Sequence, residues 1–323
     1  MNIYLASFPM HLNGFLDKID VRPNMYFASL AWEVEQRHLP LSDMINDEPV
    51  KILASFHYFK KVDFDEVLTN FKIKPMLFAD SGAYSAESQG APIKVEEYAE
   101  WLHRWKHHFT VYSNLDVIRD AKASDKNQRL LEKKGLEPIP VFHTGSDFKE
   151  LDRLAKKYPY IALGGMVGQP RPACLKWAAT CMKRTSEQQT RFHGFGMTSR
   201  DVIEKLPWYS VDSSSWVSGA KFGQIALFDG RGWHKAKVGN AGEIRKIASL
   251  IREYGFNPEQ FTDTARYKAT KGHINVSVLS ALSWRRYEKH LQKRNQKLAS
   301  IYHAYNGIGY YVETEKALRK GNE

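Results

Sequence analysis

The stretch that decides the fold is PMLFADSGAYS, residues 75–85. Its first half is apolar at every position from Met76 to Ala79, so the strand it predicts is covered on both faces. Strands of that kind belong to parallel sheets flanked by helices. Its second half supplies an aspartate, a Ser-Gly turn and a tyrosine, so the same strand delivers Asp80 and Tyr84 to one end of the sheet.

The pattern repeats along the first two-thirds of the chain. Strands are predicted at 2–6 (NIYLA), 51–56 (KILASF), 75–79 (PMLFA), 109–115 (FTVYSNL), 138–142 (PIPVF), 160–165 (YIALGG), 191–195 (RFHGF) and 209–212 (YSVD). Helices are predicted between them at 63–71, 94–108, 123–135, 147–158 and 173–184. In the second of these, Tyr98, Trp101, Leu102 and Trp105 recur at i, i+3, i+4 and i+7, one helical face. Alternation of this kind predicts an α/β fold, and eight strands predict closure into a (β/α)8 TIM-like barrel, with an open doubly wound sheet as the competing topology. The barrel is favoured because Ser7, Ser55, Asp80, Asp116, His143, Gly164, Gly165, His193 and Asp212 all fall at or just beyond strand C-termini, the catalytic end of such barrels.

After Trp216 the pattern changes to a hairpin around Asp229-Gly230 (222–239), a helix (240–255) and a basic helix (277–299). The expected organisation is a catalytic barrel over 1–216 and a basic, mainly helical C-terminal part over 217–323 that closes the barrel and contacts nucleic acid. That part holds 19 Lys and Arg against 9 Asp and Glu, so it carries nearly all of the net charge of +11. Such asymmetry points to a polyanionic partner, with Lys221, Lys235, Lys237, Arg285 and Arg286 as candidate phosphate ligands. No apolar run is long enough to span a bilayer, and MNIYLASFPM has no basic lead, so a cytoplasmic protein without a membrane partner is expected. The two cysteines, Cys174 and Cys181, provide neither a disulfide framework nor a zinc cluster.

Asp80 and Asp212 are the candidate catalytic pair. Two carboxylates whose environments separate their protonation can act as nucleophile and general acid/base at an anomeric carbon. The plainer roles are turn stabilisation for Asp80 and an N-cap for Asp212. Asp116 adds a third carboxylate, an acceptor suited to the N1–H and N2 donors of a guanine edge. Gly164 and Gly165 bring backbone N–H groups close to a ligand, or serve only to make a strand-to-helix turn.

The ordered series DSGAY (80–84), SNLD (113–116), LGGMVG (163–168), HGFGM (193–197) and VDSSSW (211–216) resembles the tRNA-guanine transglycosylase superfamily, and within it the compact phage and bacterial DNA 7-deazaguanine transglycosylases. The resemblance implies Asp80 as general acid/base, Tyr84 as the aromatic stacked on the purine, Asp116 and the Gly164-Gly165 amides as base ligands, and Asp212 as nucleophile. His143, His193 and Gly194 complete the expected substrate-binding set. Ala83 stands where the tRNA enzymes usually have glycine, and His143 where they place a base-contacting glutamine. Their cysteine-rich zinc motif is absent, so no cofactor and no metal are predicted. A histidine site using His273 or His303 is conceivable, but lone histidines more often sit on a wet surface. The implied reaction exchanges guanine in DNA for a free 7-deazaguanine base through a covalent Asp212 intermediate, with Trp208, Trp216 and Trp233 as candidates for bracing the disrupted strand. The rival readings are the same exchange on tRNA, a base-removing N-glycosidase, and a nucleic-acid-binding barrel without activity.

Overall fold

The computed structural model describes residues 1–6, 49–69, 74–197, 199–269 and 272–304; Ser7 and the side chain of His303 lie outside the described positions. The chain begins with β1 (Asn2–Leu5), β2 (Lys51–Ser55), α1 (Phe56–Phe59), α2 (Phe64–Leu68), β3 (Met76–Asp80), α3 (Ala83–Ser88) and α4 (Val95–Trp105). It continues with β4 (Phe109–Tyr112), α5 (Ala121–Lys133), β5 (Val141–His143), α6 (Phe148–Lys157), β6 (Tyr160–Gly164), α7 (Arg171–Arg184), β7 (Arg191–Gly194), α8 (Arg200–Lys205), β8 (Ser210–Ser213) and α9 (Ser215–Phe222). The hairpin β9 (Gln224–Phe228) and β10 (Trp233–Lys237) follows, then α10 (Ala241–Lys246), α11 (Ala248–Glu253), α12 (Thr264–Ala269) and the long α13 (Gly272–Ala304).

The eight strands pair in the order β4-β3-β2-β1-β8-β7-β6-β5, all parallel. The two sheet edges, β4 and β5, meet through a parallel bridge between Ser113 and Ile139. There Ile139 N donates to Tyr112 O at 2.9 Å and Asn114 N to Ile139 O at 3.0 Å. With no free edge left, the sheet is a closed α/β barrel of the TIM type.

Side-chain alternation sorts the strands into two cores. Ile3, Leu5, Ile52, Ala54, Leu77, Ala79, Phe142, Ile161, Leu163, Phe192 and Val211 pack outward against the helices. Tyr4, Leu53, Phe78, Ile139, Val141 and Ala162 fill the barrel itself. Because alternate residues share a face, Ser55, Asp80, His143, Gly164 and Asp212 continue the inward set to the C-terminal mouth. The outer layer is fixed by apolar faces such as Tyr98, Trp101, Leu102 and Trp105 of α4, all buried. Each fully buried apolar side chain contributes about 1.5–3 kcal/mol. Aspartates cap the starts of crossover helices: Asp63 accepts from Glu66 N, Asp120 from Ala123 N and Asp147 from Lys149 N. Such caps are worth about 1 kcal/mol each.

The structure corrects the boundary expected for the C-terminal part and specifies the end of the barrel that this part closes. The boundary at 216 falls inside α9, which is the eighth barrel helix; a β-carbon on its Gly219 would meet Gln224 O at 2.4 Å, so strand β9 packs directly on it. The long helix closes the end where the strands begin, not the mouth. Its Glu288 accepts from Ile3 N at 2.6 Å and pairs with Lys51 at 3.1 Å, both side chains only 6% exposed, while Gln292 donates to Met1 O. Lys51 belongs to the inward set of β2, so this buried pair plugs the barrel floor.

Candidate active site

Two strands and one loop bring the candidate carboxylates to the mouth. Asp80 ends β3, and the turn after it needs glycine: Gly82 has φ +75°, and a β-carbon there would meet Ser55 Oγ at 2.3 Å. The Gly82 amide donates to Asp80 Oδ2 at 2.9 Å and Ser113 Oγ to Oδ1 at 3.3 Å. Despite these donors, the Asp80 carboxyl is pushed up to about 7, chiefly by burial and then by Asp116 and Asp212. A carboxyl with that value exists in both protonation states near neutrality, the property a general acid/base needs.

Asp116 follows β4 and is held differently. His143 Nε2 lies 2.8 Å from its Oδ2, and Ser81 Oγ lies 3.5 Å from its Oδ1. The imidazole of His143 occupies the space above Gly164, where a β-carbon would meet its ring atoms at 2.4 and 2.6 Å. Gly164 therefore makes room for His143, and Gly165, at φ +78°, fits against the side chain of Thr144. The expected role of Gly164 as a bare backbone ligand is thus sharpened: it lets a histidine reach Asp116.

Asp212, in β8, is nearly buried at 6% exposure. Its Oδ1 accepts from Gly196 N at 2.7 Å and lies 3.3 Å from His193 Nε2. Gly196 has φ +59°, and a β-carbon there would collide with Val167 Cγ2 at 2.6 Å, so only glycine fits this turn. His193 is fully buried, with Nδ1 2.6 Å from Ser210 Oγ, and its ring packs among Tyr4, Phe78 and Phe195. Burial holds it below the usual histidine range, with Asp212 opposing.

Several expected positions turn out otherwise. His193 lies beneath Asp212 and touches that carboxylate, not the open mouth. Gly194 belongs to the outward set and packs on Trp208, whose ring a β-carbon there would meet at 2.9 Å, so it is a packing residue. Trp208 and Trp216 are core side chains, the former donating to Val202 O and the latter to Ala6 O. Trp233 packs against Trp284, Phe228 and Tyr287 in the extension. Arg285 is buried and Arg286 is engaged by Glu253 at 2.7 Å and by Phe228 O, so neither guanidinium is presented to a phosphate. Lys221 lies in the last turn of α9, away from the mouth, and Lys235 and Lys237 lie on exposed hairpin positions.

Tyr84 stands on α3 with 63% of its surface exposed, and the mouth loops also present Val117 and Val167. Residues outside the expected set that complete the site are Ser113, Gly196, Ser210 and Tyr160. Ser113 and Gly196 sit inside motifs that sequence reading had singled out, SNLD and HGFGM. Among the described residues, the group with metal-ligand potential is Asp65, His107 and His108, on the outer layer. Its members pair with each other, His108 Nε2 lying 2.7 Å from Asp65 Oδ1.

No family model and no curated protein matches the chain. Among solved structures, the carboxyl transferase domain of Rhizobium etli pyruvate carboxylase with 3-hydroxypyruvate superposes with a TM-score of 0.41 and 12% identity over 87% of this chain and 48% of that one. The same domain with 3-bromopyruvate gives 0.42 at 12% identity and the same coverages. The chain spans about half the length of these structures. The barrel assignment rests on its own strand order and closure. No described helix is long and apolar enough to cross a membrane.

Proposed function

We propose that the protein is a glycosyltransferase that exchanges guanine in DNA for a free 7-deazaguanine base at the N-glycosidic bond. The observation that carries the reading is the division between two carboxylates of one mouth: Asp80 with its proton retained to about 7, and Asp212 with Oδ1 held by the Gly196 amide. Asp212 attacks C1′ through Oδ2 as the C1′–N9 bond breaks, and Asp80 gives its proton to the departing guanine. The incoming base then loses its N9 proton to Asp80; N9 attacks C1′ and releases the Asp212 carboxylate. Two displacements restore the original configuration.

Asp116 and its partner His143 read the base edge, and Tyr84 offers a ring for stacking. The target base has to leave the duplex to enter the mouth, at about a few kcal/mol. The missing cysteine motif, together with the basic charge of residues 217–323, favours DNA over tRNA as the polymer.

The test is incubation with DNA or tRNA and candidate deazapurine bases, digestion to nucleosides and identification by mass. A deazaguanine nucleoside in DNA supports the reading. Its appearance only in tRNA transfers the chemistry to that polymer, alkali-sensitive abasic sites mark a hydrolase, and no product in either polymer refutes exchange. A denaturation-resistant protein–DNA adduct that disappears in Asp212→Asn identifies the nucleophile.

A further inference from the structure

The inside of a barrel that needs only filling is built from branched apolar side chains. Here the layer below the mouth departs from that. Tyr160, His193 and Ser210 all belong to the inward set, flanked by Leu53, Phe78, Val141 and Ala162. His193 and Ser210 are fully buried. Burying such groups costs free energy unless each finds a partner; these three bond one another, and His193 Nε2 alone is left without a hydrogen bond, next to Asp212. The Tyr160 hydroxyl lies 2.5 Å from Ser210 Oγ, which lies 2.6 Å from His193 Nδ1, whose ring reaches Asp212 through Nε2 at 3.3 Å.

We propose that Tyr160, Ser210 and His193 form a directed hydrogen-bond chain that supports Asp212 from below, fixing the histidine as its Nε2–H tautomer, with Nε2 3.3 Å from Oδ1 and outside hydrogen-bond geometry in this structure. The direction follows from the proton inventory. A phenol is a stronger donor than an aliphatic hydroxyl, and burial keeps the Tyr160 proton in place. With Tyr160 donating to Ser210 Oγ, the single Ser210 proton is directed to His193 Nδ1. A neutral imidazole carries one hydrogen, so it resides on Nε2. Burial disfavours the imidazolium and keeps the ring in this neutral form.

The consequence for Asp212 is an assignment of its two oxygens. Oδ1 receives the Gly196 amide and lies 3.3 Å from His193 Nε2, whereas Oδ2 makes no hydrogen bond among the described residues. Oδ2 is then the atom left for the anomeric carbon. His193, Ser210 and Tyr160 act through Asp212 and are positioning residues. This inference rests on the base-exchange reading for its kinetic consequence only.

The first experiment is nitrogen-15 NMR of the full chain with labelled histidine, the His193 signals being assigned by their loss in His193→Gln. The expected result at neutral pH is a protonated Nε2 and an unprotonated, hydrogen-bonded Nδ1; a protonated Nδ1 overturns the chain whatever the protein's activity. The second is single-turnover adduct formation on DNA. Ser210→Ala should slow it by about 2- to 10-fold, the kinetic worth of one hydrogen bond between neutral groups, with KM for the free base unchanged. Tyr160→Phe, which leaves the Ser210 donor, should lose less than Ser210→Ala. A raised KM at unchanged rate in Ser210→Ala overturns the positioning role. Base exchange failing in wild-type protein, with the Nε2–H tautomer intact, overturns the base-exchange reading and leaves the tautomer assignment standing.

Discussion

Asp80→Asn separates catalysis from stability in one substitution. The unfolded chain gives up the Asp80 proton near 3.8, whereas the fold retains it to about 7. Between those values the native state binds more protons than the unfolded one, so stability falls as pH rises, and the full penalty is present above 7. The gap of about 3 pKa units corresponds to about 4 kcal/mol. Asp80 is half-buried at the mouth, which water reaches, so about half of that is the working expectation. Asparagine carries no charge to desolvate. Its carbonyl oxygen can still accept from Gly82 N, and its amide can donate to Ser113 Oγ and lies beside Asp116 and Asp212. Urea unfolding of both proteins should give equal stabilities near pH 4 and an Asp80→Asn advantage growing to about 2–4 kcal/mol above pH 8. His193 also titrates, but identically in both proteins, so the difference isolates Asp80 and its coupling to the other two carboxylates. A difference that does not change with pH refutes the reasoning, as does a variant less stable than wild type at pH 8.5. The same variant should form little or no exchanged product, because the proton donor is gone.

Gly164→Ala places a β-carbon 2.4 Å from the His143 ring, so it should cost about 1–3 kcal/mol in urea unfolding and weaken binding of the free base; adding His143→Ala should restore stability but not affinity. Glu288→Ala leaves the buried Lys51 ammonium without its partner and should destabilise by about 3–5 kcal/mol, while Lys51→Met with Glu288→Gln, which keeps an acceptor for Ile3 N, should lose less on the same measurement. Replacing Lys221, Lys235 and Lys237 together by Gln should flatten the salt dependence of DNA binding without altering base preference; an unchanged slope transfers the phosphate contacts to the mouth loops. Arg286→Gln, whose guanidinium is engaged by Glu253 and Phe228 O, should leave that slope unaltered and instead lower the unfolding midpoint.

The barrel strands were legible as short runs with an apolar outward face, and β2 and β3 are apolar on both faces over most of their length, as PMLFA shows in five residues. The short elements were not. Helix α3 begins at a left-handed Gly82 and α8 spans only Arg200–Lys205, too few residues for a 3.6 period to register. Of the site, the strand-end carboxylates were visible as a set because each ends an apolar run. What holds them was not. The Asp116–His143 contact depends on Gly164 lacking a side chain, and the Lys51–Glu288 plug joins residues 237 positions apart. Charge counting also misled at Arg285 and Arg286, since composition cannot tell a buried guanidinium from an exposed one. Inward parity carries the information that was missed. Tyr160, His193 and Ser210 are polar residues at interior positions, where a barrel places a polar group only if something needs holding.

That parity also bears on an apparent conflict in the proposed function. Three carboxylates at one mouth repel a polyanion, yet the proposed substrate is a phosphate polymer. The repulsion is what keeps a proton on Asp80, since Asp116 and Asp212 both act to raise it. His143 Nε2 lies 2.8 Å from Asp116 Oδ2 and sets a donor against that carboxylate. Approach of DNA phosphates favours the protonated form of Asp80 further, because each added negative charge disfavours a second one nearby. Binding of the polymer thus loads the acid that the first displacement consumes. Departure of the neutral base through a mouth rimmed by Tyr84, Val117 and Val167 requires no compensating cation there. Exposed Lys235 and Lys237 of the hairpin can hold phosphates at a distance from the carboxylates whose mutual repulsion the chemistry uses.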